Sequence, residues 1–254
     1  MKKTLIICFM LSAGTLSILA QEDLIFESVL LTVQPNKIIE FEKAIAAHNK
    51  KFHTEGPYGA RVYSIISGKN TGKYALIMGS LSWGDLDGRP NSKAHTDDNQ
   101  QNVNAYLETE VDLNYMKFHP ELSHFPRDFE ISKLAVYLFN IKRFKRADFL
   151  EKVVKKVVKV YKEKRPDEIY GIYTNDVSDT DDMDFAFVSF FDSMAWMGKE
   201  PTFKREFEEV HGDGSYAMLL DDMEATTNSD RMELRELRKD LSGTSALVKA
   251  TDRQ

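Results

Sequence analysis

Six histidines are the side chains of this 254-residue chain best suited to chemistry near neutral pH. An imidazole changes charge there, and its neutral form offers a lone pair to a metal ion. His48 stands between Ile45 and Phe52 on a segment whose apolar residues, Ile38, Phe41, Ile45 and Phe52, recur at helical spacing. It therefore faces inward, where an imidazole can serve as a general base, as an axial haem ligand, or as a boundary side chain bonded to a loop carbonyl. His53 follows five residues later, about 140° further round the same helix, so the spacing predicts no shared metal-binding face. His95 lies in the polar run Ala94 to Asp98, His119 and His124 flank Pro120, and His211 precedes Gly212. No pair has a recognised zinc spacing, and no metal site is expected. The acidic runs Asp85-Leu86-Asp87-Gly88 and Asp179 to Asp184 lack the ligand spacing and final Glu of a calcium loop, so they read as solvated turns.

Trp83 and Trp196 are the only tryptophans, and both close a β-rich run. They can line a ligand pocket at a rim, or pack a strand-to-helix corner, which their matching placement favours. Tyr63 and Tyr170, on corresponding strands, complete the candidate ligand-binding set of His48, Tyr63, Trp83, Tyr170 and Trp196. Cys8 is the only cysteine, and it lies in a segment expected to be removed. The rest of the chain then has neither disulfide nor thiolate chemistry. A Gly-x-Ser-x-Gly elbow, a phosphate-binding loop and a dinucleotide fingerprint are all missing, so hydrolase, nucleotidase and dehydrogenase readings have no support.

The elements that must hold these residues repeat. Residues 27–33 read as a strand, 38–52 as a helix, 61–67 and 73–82 as a hairpin around Gly68 to Gly72, about 97–110 as a polar helix, and 113–118 as a strand. The order β-α-β-β-α-β returns with strands at 133–141, 168–174, 184–191 and 231–238. Its helices fall at 147–164 and from about 202 to 224, with a break near Gly214. Phe41-Glu42-Lys43 matches Phe149-Leu150-Glu151-Lys152. Val62-Tyr63-Ser64-Ile65 matches Ile169-Tyr170-Gly171-Ile172. Trp83-Gly84 matches Trp196-Met197-Gly198, and Pro120-Glu121-Leu122-Ser123 matches Lys239-Asp240-Leu241-Ser242. Four matches on equivalent elements indicate an internal duplication. The repeats are asymmetric in histidine: five of the six precede residue 125, and Lys156 takes the place of His48. Packing residues belong in both copies, whereas a site needs only one, so a site is expected in the first half.

Both faces of Phe185 to Phe191 are apolar: Phe185, Phe187 and Phe191 on one, Ala186, Val188 and Phe190 on the other. One face must meet helices and the other a second sheet. The expected fold class is therefore α+β, with two tandem ferredoxin-like repeats whose antiparallel sheets pack face to face into a barrel. Over residues 25–243 the chain resembles the dimeric α+β barrel superfamily in a tandem single-chain form. Its members include antibiotic-biosynthesis-type monooxygenases, haem-degrading monooxygenases, chlorite dismutase-like haem proteins and stress-response proteins. The resemblance implies a small-molecule cavity, without choosing among those functions.

Lys2 and Lys3, an uncharged apolar stretch from Thr4 to Leu19, and Ala20 before Gln21-Glu22-Asp23 have the layout of a secretory signal cut after Ala20. The expected organisation is a signal at 1–20, repeats at 25–125 and 130–243, and a flexible tail at 244–254. The formal charge of −6, from 34 basic and 40 acidic residues, argues against nucleic acid as a partner. The resulting expectation is an exported periplasmic or secreted protein, monomer or homodimer, without stable membrane insertion once the signal is cut. It would bind a small apolar molecule and need no cofactor, haem being the one considered. The alternatives are a cofactor-independent or haem-handling monooxygenase, and a non-catalytic interaction module.

Overall fold

The computed structural model of the protein describes residues 23–108, 112–177 and 183–253. The expected signal at 1–20 and most of the acidic turn before Asp184 lie outside the described residues. Among those described, no helix is long and apolar enough to cross a membrane.

The first half runs β1 (Ile25–Leu31), α1 (Ile38–Phe52), β2 (Ala60–Ser67), β3 (Tyr74–Leu81), α2 (Trp83–Asp87), α3 (Lys93–Asp98) and β4 (Asp112–Phe118). A short β5 (Phe129–Glu130) leads into β6 (Lys133–Ile141), α4 (Arg146–Phe149), α5 (Lys155–Lys164), β7 (Tyr170–Asn175), β8 (Phe185–Phe191), α6 (Phe203–His211), α7 (Ser215–Thr226), β9 (Thr227–Leu237) and β10 (Leu247–Val248). A π-helical turn, Leu150–Val154, joins α4 to α5, and another, Asn99–Val103, extends α3.

Eight strands close into one antiparallel barrel in the order β1-β3-β2-β9-β6-β8-β7-β4. In each half the fourth strand neighbours the first, the first the third, and the third the second. The two sheets do not simply lie face to face. Their edges hydrogen-bond, with Tyr63 opposite Leu237 at one seam and Phe118 opposite Tyr173 at the other. Closure pairs edges that would otherwise be left open. Side-chain alternation then divides the apolar residues as β8 foretells. Ala186, Val188 and Phe190 enter the barrel core with Phe26, Tyr63 and Leu134, while Phe185 and Phe187 meet Phe149, Val153 and Phe207 under the second-half helices. Phe41 and Ile45 of α1 play the same part over Val29, Val62 and Tyr74 in the first half.

Three boundaries differ from the sequence reading. β9 starts at Thr227, directly at the end of α7, because Thr227 to Asp230 pair with β6 although they are polar and largely exposed. The second helical stretch of the first half starts before residue 97. Ser82 caps α2 in a reciprocal box with Asp85, and the Ser92 hydroxyl accepts from the His95 amide to cap α3. The tail is not loose: Leu247 and Val248 pair with Glu130 and Phe129, Ala246 and Val248 are buried, and Arg61 donates to the Ser245 and Leu247 carbonyls. The two apolar residues of this short segment cover an end of the barrel core, which a composition-based reading of a polar terminus does not reveal.

Candidate metal centre

α1 ends at Phe52, and His53 follows in a non-helical conformation, φ −130° and ψ 39°. Its side chain therefore leaves the helical wheel, and the rule that separates His48 from His53 by their spacing does not apply. The capped α3 brings His95 over the same point. The result corrects the expectation that His48 and His53 share no face: one ligand atom each from His48, His53 and His95 lie within 4.8 Å of one another, a grouping able to hold a metal ion. The Nε2 atoms of His53 and His95 are 3.2 Å apart. The His48 and His95 rings stack with centroids 4.9 Å apart, and Phe52 packs on both.

The hydrogen bonds behind the rings fix their tautomers. A carbonyl can only accept, so the 2.8 Å contact between His53 Nδ1 and the Tyr58 oxygen places the proton on Nδ1 and the lone pair on Nε2. His48 Nδ1 lies 2.7 Å from Asp98 Oδ2, and donation to this carboxylate likewise leaves its Nε2 lone pair free. These are the supports that metal-ligating imidazoles use, a carboxylate behind one ring and a carbonyl behind another. In the absence of an ion, His95 Nε2–H donates to His53 Nε2.

The electrostatics also favour the neutral form of His53 and His95. Burial drives the His53 pKa down to about 4 against the Tyr58 bond, and charge on His48, His95 and Arg89 adds to the depression. Burial, then His48, lowers His95. The His48 hydrogen bond holds the Asp98 carboxyl below its ordinary range. Neutral imidazoles lose no proton on metal binding at pH 7.

The rings line a cavity of about 350 Å³ between α1, α3 and the sheet, which Glu27, Asn49, Tyr58 and Arg89 also border. Asn49 is fully buried. Its amide donates to the Leu241 carbonyl, yet its Oδ1 has no hydrogen-bond partner among the described residues. Arg89 pairs with the buried Glu27 on β1, which raises the arginine's pKa. Second-half geometry echoes the first without the imidazoles: Lys156 reaches Asp222 at 3.1 Å, where His48 reaches Asp98.

The five candidates drawn from sequence do not share one cavity. Tyr63 lies in the barrel lumen, and Tyr170 is buried beneath the second-half helices, stacked on Phe187. Trp83 is partly exposed at the start of α2, edge-on to Tyr115, whereas Trp196 stacks on Phe191. Trp196 also borders the largest cavity, about 610 Å³, an apolar space between the second-half sheet and helices lined by Phe139, Phe149, Val153 and Phe187. Only His48 belongs to the imidazole cluster. His53, His95 and Asp98 are the residues that sequence reasoning passes over. The Ser82-x-x-Asp85 box and the Ser92 cap are the signals that could have placed α3, and with it His95, beside α1.

No protein-family model and no curated protein sequence matches this chain. Solved structures do. A provisionally named monooxygenase from Lactobacillus acidophilus aligns over 90% of this chain and all of its own, at 14% identity and a TM-score of 0.53. An anthrone oxidase-like protein aligns over 92% and 96%, at 10% identity and 0.56. A chlorite dismutase from Candidatus Nitrospira defluvii, in complex with imidazole, aligns over 85% and 92%, at 6% identity and 0.50. The chain has the dimeric α+β barrel fold, with its ferredoxin-like architecture.

Proposed function

We propose that the first-half cavity is a mononuclear transition-metal site held by His48, His53 and His95, and that the protein is an oxidoreductase acting there on a small molecule. The observation that carries this reading is the convergence of three imidazoles, two of them braced from behind. Three histidines with an open fourth position suit zinc, copper, iron or nickel. A tetrahedral ion needs nitrogens roughly 3.4 Å apart at bond lengths of about 2.0–2.1 Å. The His53–His95 pair already meets this, and the remaining separation asks for a shift of about 1 Å. A bound ion would supply a Lewis-acidic or redox centre facing the cavity. Asn49 Oδ1 stands ready to accept a hydrogen bond from a donor held there, and the Arg89–Glu27 pair fixes the polarity of the floor. The oxidative names of the structural neighbours support the reaction class.

Haem fits this cluster less well. Its iron takes axial ligands from opposite sides of a flat ring, so three imidazoles converging on one point cannot all serve it. A cavity of about 350 Å³ is also near the low end of the 300–1,000 Å³ range of ligand sites. The deciding experiment is metal analysis of protein purified without chelators, followed by titration of the metal-free form with Co²⁺, Zn²⁺ and hemin. A stoichiometric first-row metal, lost in His53→Ala, supports the reading. A Soret band at one hemin per chain with no metal uptake would replace it with the haem-handling monooxygenase.

A second reading, binding of a small apolar molecule, draws on the 610 Å³ cavity bordered by Trp196. We also infer that the halves arose by duplication, supported by their common strand order and by Phe41 and Phe149 on equivalent helices, although Tyr63 and Tyr170 face opposite sides of the sheet and Tyr173 is the counterpart of Tyr63, and that the chain is exported after cleavage behind Ala20. N-terminal sequencing of exported protein should read Gln21-Glu22-Asp23; a Met1 start in the membrane fraction would overturn the cleavage.

A further inference from the structure

The barrel lumen is a separate cavity, about 340 Å³, on the side of the sheet away from the histidines. Its exposed wall is divided about evenly between polar and apolar surface, and Arg61, Lys69, Arg231, Arg235 and Arg253 all border it, against Asp112 as the acid among the described lining residues. This concentration of cations lies inside a protein of net negative charge. Arg235 is accounted for by β9 itself, whereas Arg231 makes only a long contact with Glu233 and its buried Nε has no hydrogen-bond partner among the described residues. Glu233, wholly buried, takes Arg235 at 2.7 Å, has Arg231 at 3.8 Å, and accepts from Asn70 at 2.7 Å.

The other end of the lumen is different. Arg253 lies over the Phe26 ring, 4.6 Å from its centroid, with Phe118 and Phe125 near by. Its Nε and Nη1 are buried and have no hydrogen-bond partner among the described residues. Arg61 spends donors on two tail carbonyls, but among the described residues it has no carboxylate partner. Burial and the charge of Arg253 both depress its pKa, while Tyr63 and Tyr173 oppose this. Two guanidinium groups that repel each other inside an aromatic enclosure carry an unmet demand for an anion. Orphaned guanidinium N–H groups specify an oxyanion, and the surrounding rings specify an apolar body attached to it.

We propose that the barrel lumen binds an amphipathic organic anion, a carboxylate on a short apolar body, with its head group on Arg61 and Arg253 and its body among Phe26, Phe125 and Phe190. The head group receives the donors that Arg253 leaves unpaired. The body takes the place of water against the rings of β1 and β8. This site is independent of the histidine cluster, so one can fail without the other.

Calorimetric titration of the metal-free protein with octanoate, octanol and inorganic sulfate tests it. Octanoate should bind at least tenfold more tightly than octanol, and sulfate should not displace it. Arg253→Gln should weaken octanoate about tenfold or more and leave octanol unchanged, consistent with the loss of charged hydrogen bonds. Arg61→Gln should act in the same direction. Because Arg61 also holds the tail, Arg253→Gln decides the matter if Arg61→Gln does not fold. His48→Ala should bind octanoate like the parent, which separates the lumen from a carboxylate caught at the imidazoles. Equal affinity for octanoate and octanol, displacement by sulfate, or full octanoate affinity in folded Arg253→Gln would each overturn the proposal.

Discussion

Asp98 offers the sharpest test of the proposed metal centre because it touches only the back of a candidate ligand. Its Oδ2 accepts from His48 Nδ1 at 2.7 Å, and Asn102 donates to its other oxygen at 2.9 Å. Asp98→Ala removes the acceptor that fixes the His48 tautomer. The ring can then place its proton on Nε2, the atom that must face the ion, and it becomes a weaker base. Loss of such a partner costs about 10–100-fold in metal affinity, or roughly 1.4–2.7 kcal/mol. Asp98 lies on the accessible side of α3, so the fold should tolerate the change. Asp98→Asn keeps an acceptor oxygen, and with it the tautomer, and loses only the charge. The expected order of Zn²⁺ affinity is therefore parent, then Asn, then Ala, measured by competition with a chromophoric chelator at pH 7. Ala and parent affinities within twofold of each other, with circular dichroism unchanged, would refute the argument that His48 binds through Nε2 with Asp98 behind it.

The metal-free protein should lose stability as pH falls from about 6.5 to about 4. The unfolded chain takes up a proton on His53 that the folded chain refuses, so the contribution is complete above that window and has fallen by about 3 kcal/mol at its lower end. Urea unfolding at pH 7 and pH 4 should show this drop, and His53→Gln should reduce it. Gly243→Ala should destabilise the protein by about 1–3 kcal/mol, since a Cβ there would lie 2.2 Å from the His53 carbonyl oxygen and 2.5 Å from that of Asn49. Zn²⁺ affinity should fall with it, because the clash displaces the end of α1 that carries His53; unchanged urea midpoint and affinity would count against the tight docking of this loop. Glu233→Ala should cost about 3–5 kcal/mol, because Arg235 and Asn70 lose a fully buried partner, and a thermal melt within a degree of the parent would contradict that assignment.

The barrel was legible because its signals are periodic. The two apolar faces of β8, the Gly68 to Gly72 hairpin and the Phe41 and Phe149 helices each report a local pattern that packing then reinforces. The seam between halves carries no such signal, since Tyr63 opposite Leu237 is a partnership of distant residues. The tail escaped for a related reason: Ala246 and Val248 have meaning only once the barrel end they cover exists. Of the candidate imidazole cluster, one member was legible. His48 was placed correctly on the inward face of α1, in the half where histidine is concentrated. The relation to His53 was misread by extending a helical angle past the last helical residue. A wheel predicts the direction of a side chain only while φ and ψ remain helical, and at φ −130° the chain has already turned.

That single turn links fold to proposed chemistry. A His53 held on the wheel would point away from His48, and the Tyr58 carbonyl would have no imidazole to accept from. The His53 amide still makes the last helical bond, to the Asn49 carbonyl, while its own carbonyl leaves the helix and accepts from the Ala60 amide, so the end of α1 and the start of β2 hold the residue from both sides. The same exit desolvates the ring, which depresses its pKa and keeps its lone pair unprotonated. Position, tautomer and charge state of His53 thus have one structural cause. Lengthening α1 by one turn through residues 53–56 should therefore abolish metal binding even though all three histidines remain. Replacing Gly56 and Pro57 with alanines, which removes the helix-breaking residues, is the direct way to attempt this. Backbone NMR shifts should report whether the helix extends. Retained stoichiometric Zn²⁺ binding in a variant whose helix does extend would show that the exit of His53 from α1 is not what builds the site.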